Sequence, residues 1–191
     1  MRIGTLLAAC ALLGSLASAQ HIEVGGFIDY GRPTVPGFPA NAFGAGGRLD
    51  INLHRFLQAE VETAYDVKYA NFLLAASSGS AVVTNTKMGI LHMNGGVKVQ
   101  TAGGSFFLFV KGGANQYFPE RTFQTITGNP ITIFTSTASL NSFTHGIFYP
   151  GGGIGFHAGP LGIRVDVGDE IYWSSGMHNN LRVTFGPTLR F

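Results

Sequence analysis

Acids and bases recur at every second position in several short segments of this 191-residue chain. Glu23 and Asp29 share one parity with each other, as do Arg48 and Asp50, Glu60 and Glu62, Arg164 and Asp166, and Arg182 and Arg190. Lys98 and Lys111 occupy the corresponding polar positions of two further segments. Six acids and six bases spaced this way support three chemistries: paired carboxylates doing acid and base work, a polar path for ions, or a closed network of ion pairs. A network is favoured, because an unpaired charge in a confined space costs several kcal/mol and equal numbers of opposite sign remove that cost.

No other constellation competes strongly. Ser142, His145, Asp169 and His178 contain the residue types of a hydrolytic site, but no motif fixes their geometry, so no catalytic residue is expected. The six histidines (21, 54, 92, 145, 157 and 178) lack ligand spacing, so neither a metal nor a cofactor is expected. The glycine-rich stretches at Gly44 and Pro150 precede no amphipathic helix, so they offer no helix N-terminus for a phosphate. With 12 Lys and Arg against 10 Asp and Glu, the chain has no electrostatic footprint for nucleic acid.

The elements that position these charges are strands. From Gln20 onward, segments of about ten residues alternate apolar with polar and are separated by clusters of Gly, Pro, Asn and Ser. Eight such segments are read, beginning at Ile22, Ala45, Leu57, Leu91, Phe106, His145, Ile163 and Leu181. The segment from Phe106 to Val110 is apolar on both parities, and Lys111 and Asn115 assign its polar face. Connections alternate between short ones, near residues 53–56, 100–104 and 158–160, and long ones, at about 31–42, 66–84, 118–140 and 172–180. That alternation is the plan of a closed antiparallel up-and-down transmembrane β-barrel with short periplasmic turns and long extracellular loops.

Charge decides which face points outward. Charged residues make up 12% of the chain, against about 25% in ordinary soluble domains. A soluble barrel would need far more to cover its surface. With the polar parity inside, the outward parity of the membrane band carries no charge and faces lipid. Outside the N-terminal segment no apolar run approaches the roughly 20 residues that a spanning helix needs. Residues 1–19 read as a signal peptide, with Arg2, an apolar core from Ile3 to Leu16, and a small-residue cleavage site at Ala17 to Ala19. Residues 20–191 then form the barrel. LAAC at Leu7 to Cys10 has the form of a lipobox, but the apolar run continues past it, which favours the longer signal.

LRVTFGPTLRF at the C-terminus resembles the assembly signal of bacterial outer-membrane barrels, with Phe185, Leu189 and Phe191 at alternate positions. GGRLDINLHRFLQAEVETAYD is similar to hairpins of the small outer-membrane β-barrel domain family of the outer membrane protein A and X types, and GGVKV, FVKGG and GIRVDVGDEIY look like its strand cores. The resemblance implies a bacterial outer-membrane location, outer-membrane lipid around the wall and recognition of the last strand by the barrel-assembly machinery. The periplasmic peptidoglycan-binding domain is a point of departure from that family, so cell-wall anchoring of that type is not expected. On that topology Glu23 should meet Arg190, Asp29 should lie near Arg182 or Arg48, and Glu60 and Glu62 should lie across from Lys98 and Lys111. Tyr30, Phe43, Tyr65, Tyr117, Tyr172 and Trp173 are placed in a loop-side aromatic belt, and Phe56, Phe106, Phe156 and Phe191 in a short-turn one. A monomer with a salt-bridged lumen and a structural or surface-interaction role is expected, any partner being engaged through the 66–84 and 118–140 loops. A small channel or a lipid-modifying barrel enzyme is the alternative.

Overall fold

A strand whose two faces differ in polarity is stable only in a sheet that separates those faces, and a sheet without open edges must close on itself. The computed structural model describes residues 22–32, 41–77, 80–101, 105–127, 132–139 and 141–191, so residues 1–19, read as a signal peptide, lie outside it. It consists of strands β1 (Ile22–Arg32), β2 (Ala42–His54), β3 (Leu57–Ser77), β4 (Ser80–Gln100), β5 (Phe106–Thr127), β6 (Thr132–Ser139), β7 (Phe143–Ala158), β8 (Leu161–Trp173) and β9 (Met177–Arg190).

All pairings are antiparallel, and each strand lies beside its neighbour in sequence except where the ends meet and where β7 pairs with β5 instead of β6. β1 pairs with β9 from Glu23 opposite Arg190 to Arg32 opposite Leu181, and this pairing closes the ring. β6 and β7 both pair with the same edge of β5: Ser139 lies opposite Glu120, and Phe143 opposite Tyr117. The interruption falls at Phe118 and Pro119, where proline supplies no N–H to the ladder. β6 and β7 therefore form one wall, and the nine segments make an eight-stranded closed barrel.

The walls differ in height. β1, β2, β8 and β9 have 11 to 14 residues, whereas β3, β4 and β5 have 21 or 22. A tilted strand crosses a bilayer core in about 9–11 residues. The remaining upper parts of β3, β4 and β5 join β6 in a four-stranded sheet that rises above the rest of the rim. β2 leaves β3 at the pair Phe43–Val67, so among the described residues β3 has no further ladder on that side and β6 is paired only with β5. The spans 66–84 and 118–140, read from the sequence as long loops, are mainly strand. Beyond the apolar band of the wall the outward face is not held to alternation, so the pattern fades from the sequence while the backbone ladder continues.

At the other end, chain reversals are tight. Arg55 and Phe56 turn β2 into β3, and Gly159, at φ 64°, begins the Gly159–Pro160 turn into β8. The Arg190 N–H donates to the Pro160 carbonyl at 2.8 Å and the Phe191 N–H to the Ile22 carbonyl at 2.9 Å, tying down the last strand.

Outward positions are apolar and exposed: Ile28, Leu53, Leu108, Phe156, Leu161 and Phe185 among them. Inward positions include the buried charges and four buried rings, Phe27, Phe107, Phe109 and Tyr149. The rings lie over glycines on adjacent strands: Phe27 over Gly46, Phe107 over Gly153, Phe109 over Gly151 and Tyr149 over Gly168. A side chain at any of these glycines would occupy the space of the ring.

Candidate functional site

Inward parity brings residues far apart in sequence into one column. Next to the short turns, Arg190 Nη2 donates to Glu23 Oε2 at 2.8 Å, with His157 Nε2 at 3.5 Å from the other oxygen. Above them Arg164 bridges three carboxylates, reaching Asp166 at 2.7 Å, Glu60 at 2.8 Å and Asp50 at 3.2 Å. Lys98 sits 2.9 Å from Asp50 and 3.7 Å from Glu60. Arg48 pairs with Asp166 and donates to Thr184 Oγ1 at 2.7 Å.

The central layer is built on Lys111 and Arg182. Lys111 Nζ donates to Glu60 at 2.5 Å and to Glu62 at 2.7 Å. Arg182 donates through Nε to Asp29 at 2.7 Å, and through Nη1 to Glu62 at 2.7 Å and Glu170 at 3.1 Å. The rings fill the space between these groups: Arg48 lies 4.3 Å from the centre of Phe27, Lys111 4.3 Å from that of Phe109, and Arg164 4.5 Å from that of Phe107. Such contacts soften the cost of desolvating a cation. Phe107 and Phe109 are thus the inward half of the doubly apolar β5 segment.

On the loop side, His92 Nδ1 is 3.0 Å from Glu170 Oε1 and Asn115 donates to Glu170 Oε2 at 2.7 Å. An apolar cluster of Ala42, Met88, Ile90 and Tyr117 covers this layer. Farther out runs a continuous series of rings. Tyr117 stacks on Phe143 at 4.8 Å, both contact His145, and Tyr172 lies between His145 and His178 at 4.9 Å from each.

Eleven of the twelve charges singled out by spacing are buried, and Arg190 is half-buried at the rim. The column also contains groups that the sequence reading put in loops and strand ends: Asp66, Lys68 and Glu170 are buried inward residues. Each continues the parity of its strand, Asp66 and Lys68 that of Glu62 and Glu170 that of Asp166, and that continuation was the available signal. Among the described residues, carboxylates at Glu23, Asp29, Asp50, Glu60, Glu62, Asp66, Asp166 and Glu170 face Arg48, Lys68, Lys98, Lys111, Arg164, Arg182 and Arg190, with His92 and His157 beside them.

Other placements differ from the sequence reading. Tyr117 and Tyr172 point inward and are buried, so they do not belong to the outer belt. Tyr65, Phe43 and Trp173 do lie outside on the loop side, as do Phe106, Phe156 and Phe191 toward the short turns. His145 and His178 stack on Tyr172, whereas Asp169 is on the outward parity of β8, so Ser142, His145, Asp169 and His178 form no catalytic set. Phe185, Leu189 and Phe191 are exposed on the outer face, the first two on β9. Carboxylates of Glu60, Glu62 and Asp166 come together closely enough to suggest a cation, but Lys111, Arg164, Arg182 and Arg48 already supply it.

A closed antiparallel barrel of eight strands, charged within and apolar without, is the architecture of the small outer-membrane barrels. The attachment invasion locus protein of Yersinia pestis, solved with the heparin analogue sucrose octasulfate, has this fold: it superposes with a TM-score of 0.51 at 12% identity, over 90% of this chain and 97% of its own. Neisserial surface protein A aligns at a TM-score of 0.47 with 8% identity, over 89% of this chain and 97% of its own. The N-terminal barrel domain of OprF from Pseudomonas aeruginosa aligns at 0.43 with 11% identity, over 88% and 97%. No family model and no curated protein matches the chain.

Proposed function

We propose that this protein is exported to the outer membrane of a Gram-negative-type bacterium, where it stands as a monomeric barrel closed by its own ion pairs. The single observation carrying this reading is the inverted polarity: Arg164 and Arg182, both buried, are each shared among carboxylates of three strands, and buried Lys111 of β5 is shared between Glu60 and Glu62 of β3, while the outer wall is apolar. A lumen of eight strands is narrow enough for side chains to fill, and here side chains of both signs fill it. Ion passage would require these pairs to separate in a low-dielectric space, so the column acts as a plug and not as a pathway.

The role that follows is structural and, through the raised sheet, interactive. The sheet stands clear of the rim, and its β6 edge is uncharged and free of proline, features that leave a backbone edge open to a partner strand. Apart from the inward, buried Lys68 at its base, its charges are Lys87, Glu120 and Arg121. That composition suits a protein partner better than a polyanion such as the sulfated sugar bound by the Yersinia protein. The last strand, with Phe185, Leu189 and Phe191 outward, serves as the segment read by the assembly machinery.

Two measurements test the reading. In planar bilayers the purified barrel should give no large, stable ohmic conductance, and such a conductance would overturn the plug. Outer-membrane fractions should contain the protein with heat-modifiable gel migration, and absence of both would overturn the location.

A further inference from the structure

We propose that His92 is the eighth cation of the lumen, an imidazolium that ties β4 to Glu170 of β8 and Asp66 of β3 and locks the loop-side end of the column through a proton. Among the described residues, eight lumen carboxylates face seven Arg and Lys side chains. His92 is buried, and each of its ring nitrogens faces an acid: Nδ1 lies 3.0 Å from Glu170 Oε1 and Nε2 lies 3.5 Å from Asp66 Oδ2. A neutral imidazole has one N–H and one lone pair. Whichever nitrogen held the lone pair would set it against a buried carboxylate, two acceptors with no proton between them. The doubly protonated ring is the form that offers a donor to both sides.

The surrounding groups leave that charge in demand. From β9, Arg182 donates to Glu170 Oε1 at 3.1 Å, but it is also bound to Asp29 of β1 and Glu62 of β3. From β5, Asn115 donates to Glu170 Oε2 at 2.7 Å, and Tyr117 lines the enclosed cavity beside His92 and Asp66. That cavity, of about 10 Å³, has room for one water that can carry a hydrogen bond from Nε2 to Asp66. His157, at the short-turn end, is the contrast. Arg190 Nη2 lies 3.2 Å from its Nε2, and because arginine only donates, that nitrogen keeps its lone pair although Glu23 is near. Loss of the His92 proton would leave Glu170 or Asp66 against a lone pair, so the lock holds at neutral pH and opens as alkaline pH strips the proton. Its part in closing the barrel rests on the plug proposed above; its charge does not.

The test uses the full mature barrel with isotope-labelled histidine, refolded in detergent, with the nitrogen NMR spectrum of the rings and urea unfolding as readouts. At neutral pH both ring nitrogens of His92 should be protonated, whereas His157 should show a lone-pair nitrogen; the His92→Gln spectrum assigns the signals. The gap in urea midpoint between the parent and His92→Gln should be widest at neutral pH and shrink toward strongly alkaline pH, where the parent loses the charge that the variant never had. A His92 ring with one lone pair at neutral pH overturns the proposal, as does a gap that stays constant with pH. If His92→Gln fails to fold, the parent spectrum decides, assigned through Glu170→Gln. A barrel that conducts while His92 is doubly protonated refutes the plug and upholds the imidazolium.

Discussion

Below Val67, β3 sets Glu60, Glu62 and Asp66 against partners from β4, β5, β8 and β9. Above it, the same strand continues to Ser77 with β4 as its only described neighbour. In the lower half, long-range contacts specify the register: a one-residue slip would turn every carboxylate of β3 toward lipid. In the upper half the register is carried up the β3–β4 ladder, which shifts once between Leu73 and Ala75, and few charges are there to fix it. The two halves therefore differ in how much stability a single side chain holds, although they share strands and twist.

Arg164→Met should give the largest effect, because it removes the one cation shared by the buried carboxylates of Asp50, Glu60 and Asp166 and leaves each with one cation partner fewer. A loss of about 3–5 kcal/mol is expected in urea unfolding of the refolded barrel, and a loss below about 1 kcal/mol would mean that the remaining cations redistribute. Gly186→Ala ranks next. A methyl there meets the backbone of Gly26 and Phe27 on β1, at the seam that closes the barrel, and should cost about 1–3 kcal/mol in the same assay.

Deleting Thr122 to Thr135 removes the top of the raised sheet without touching the column. The unfolding free energy of the barrel should stay within about 0.5 kcal/mol, whereas surface binding or adhesion by cells should fall; unchanged binding would remove the case for the sheet as a contact surface. Lys87→Ala should have the smallest effect. Lys87 and Glu120 are 3.8 Å apart and about half exposed, so about 0.5 kcal/mol or less is expected. A larger value would show that the raised sheet is held by its charges after all.

The strands embedded in the wall were legible because lipid imposes alternation. β1 begins at Ile22 as read from the sequence, and β9 contains the cleanest alternating segment of the chain. The upper halves of β3, β4 and β5 were not, since neither face there needs to be apolar and the ladder that continues them is a backbone property. The same cause hid Asp66, Lys68 and Glu170, which belong to inward parity but lie beyond the alternating stretch. Tyr117 and Tyr172 were misplaced for a different reason: an aromatic ring suits an interfacial belt and a barrel mouth equally, and only parity separates the two. The break between β6 and β7 at Pro119 needed the knowledge that both pair with β5.

The rings that lie over glycines have a bearing on how this sequence can drift. Phe27 with Gly46, Phe107 with Gly153, Phe109 with Gly151 and Tyr149 with Gly168 each divide one volume between two strands. Neither member of such a pair is free to change alone: enlarging the glycine evicts the ring, and shrinking the ring leaves a void beside a buried cation. In descendants of this barrel, variation should therefore appear at both members together, with bulk moving from one strand to the next while the charges between them stay where they are.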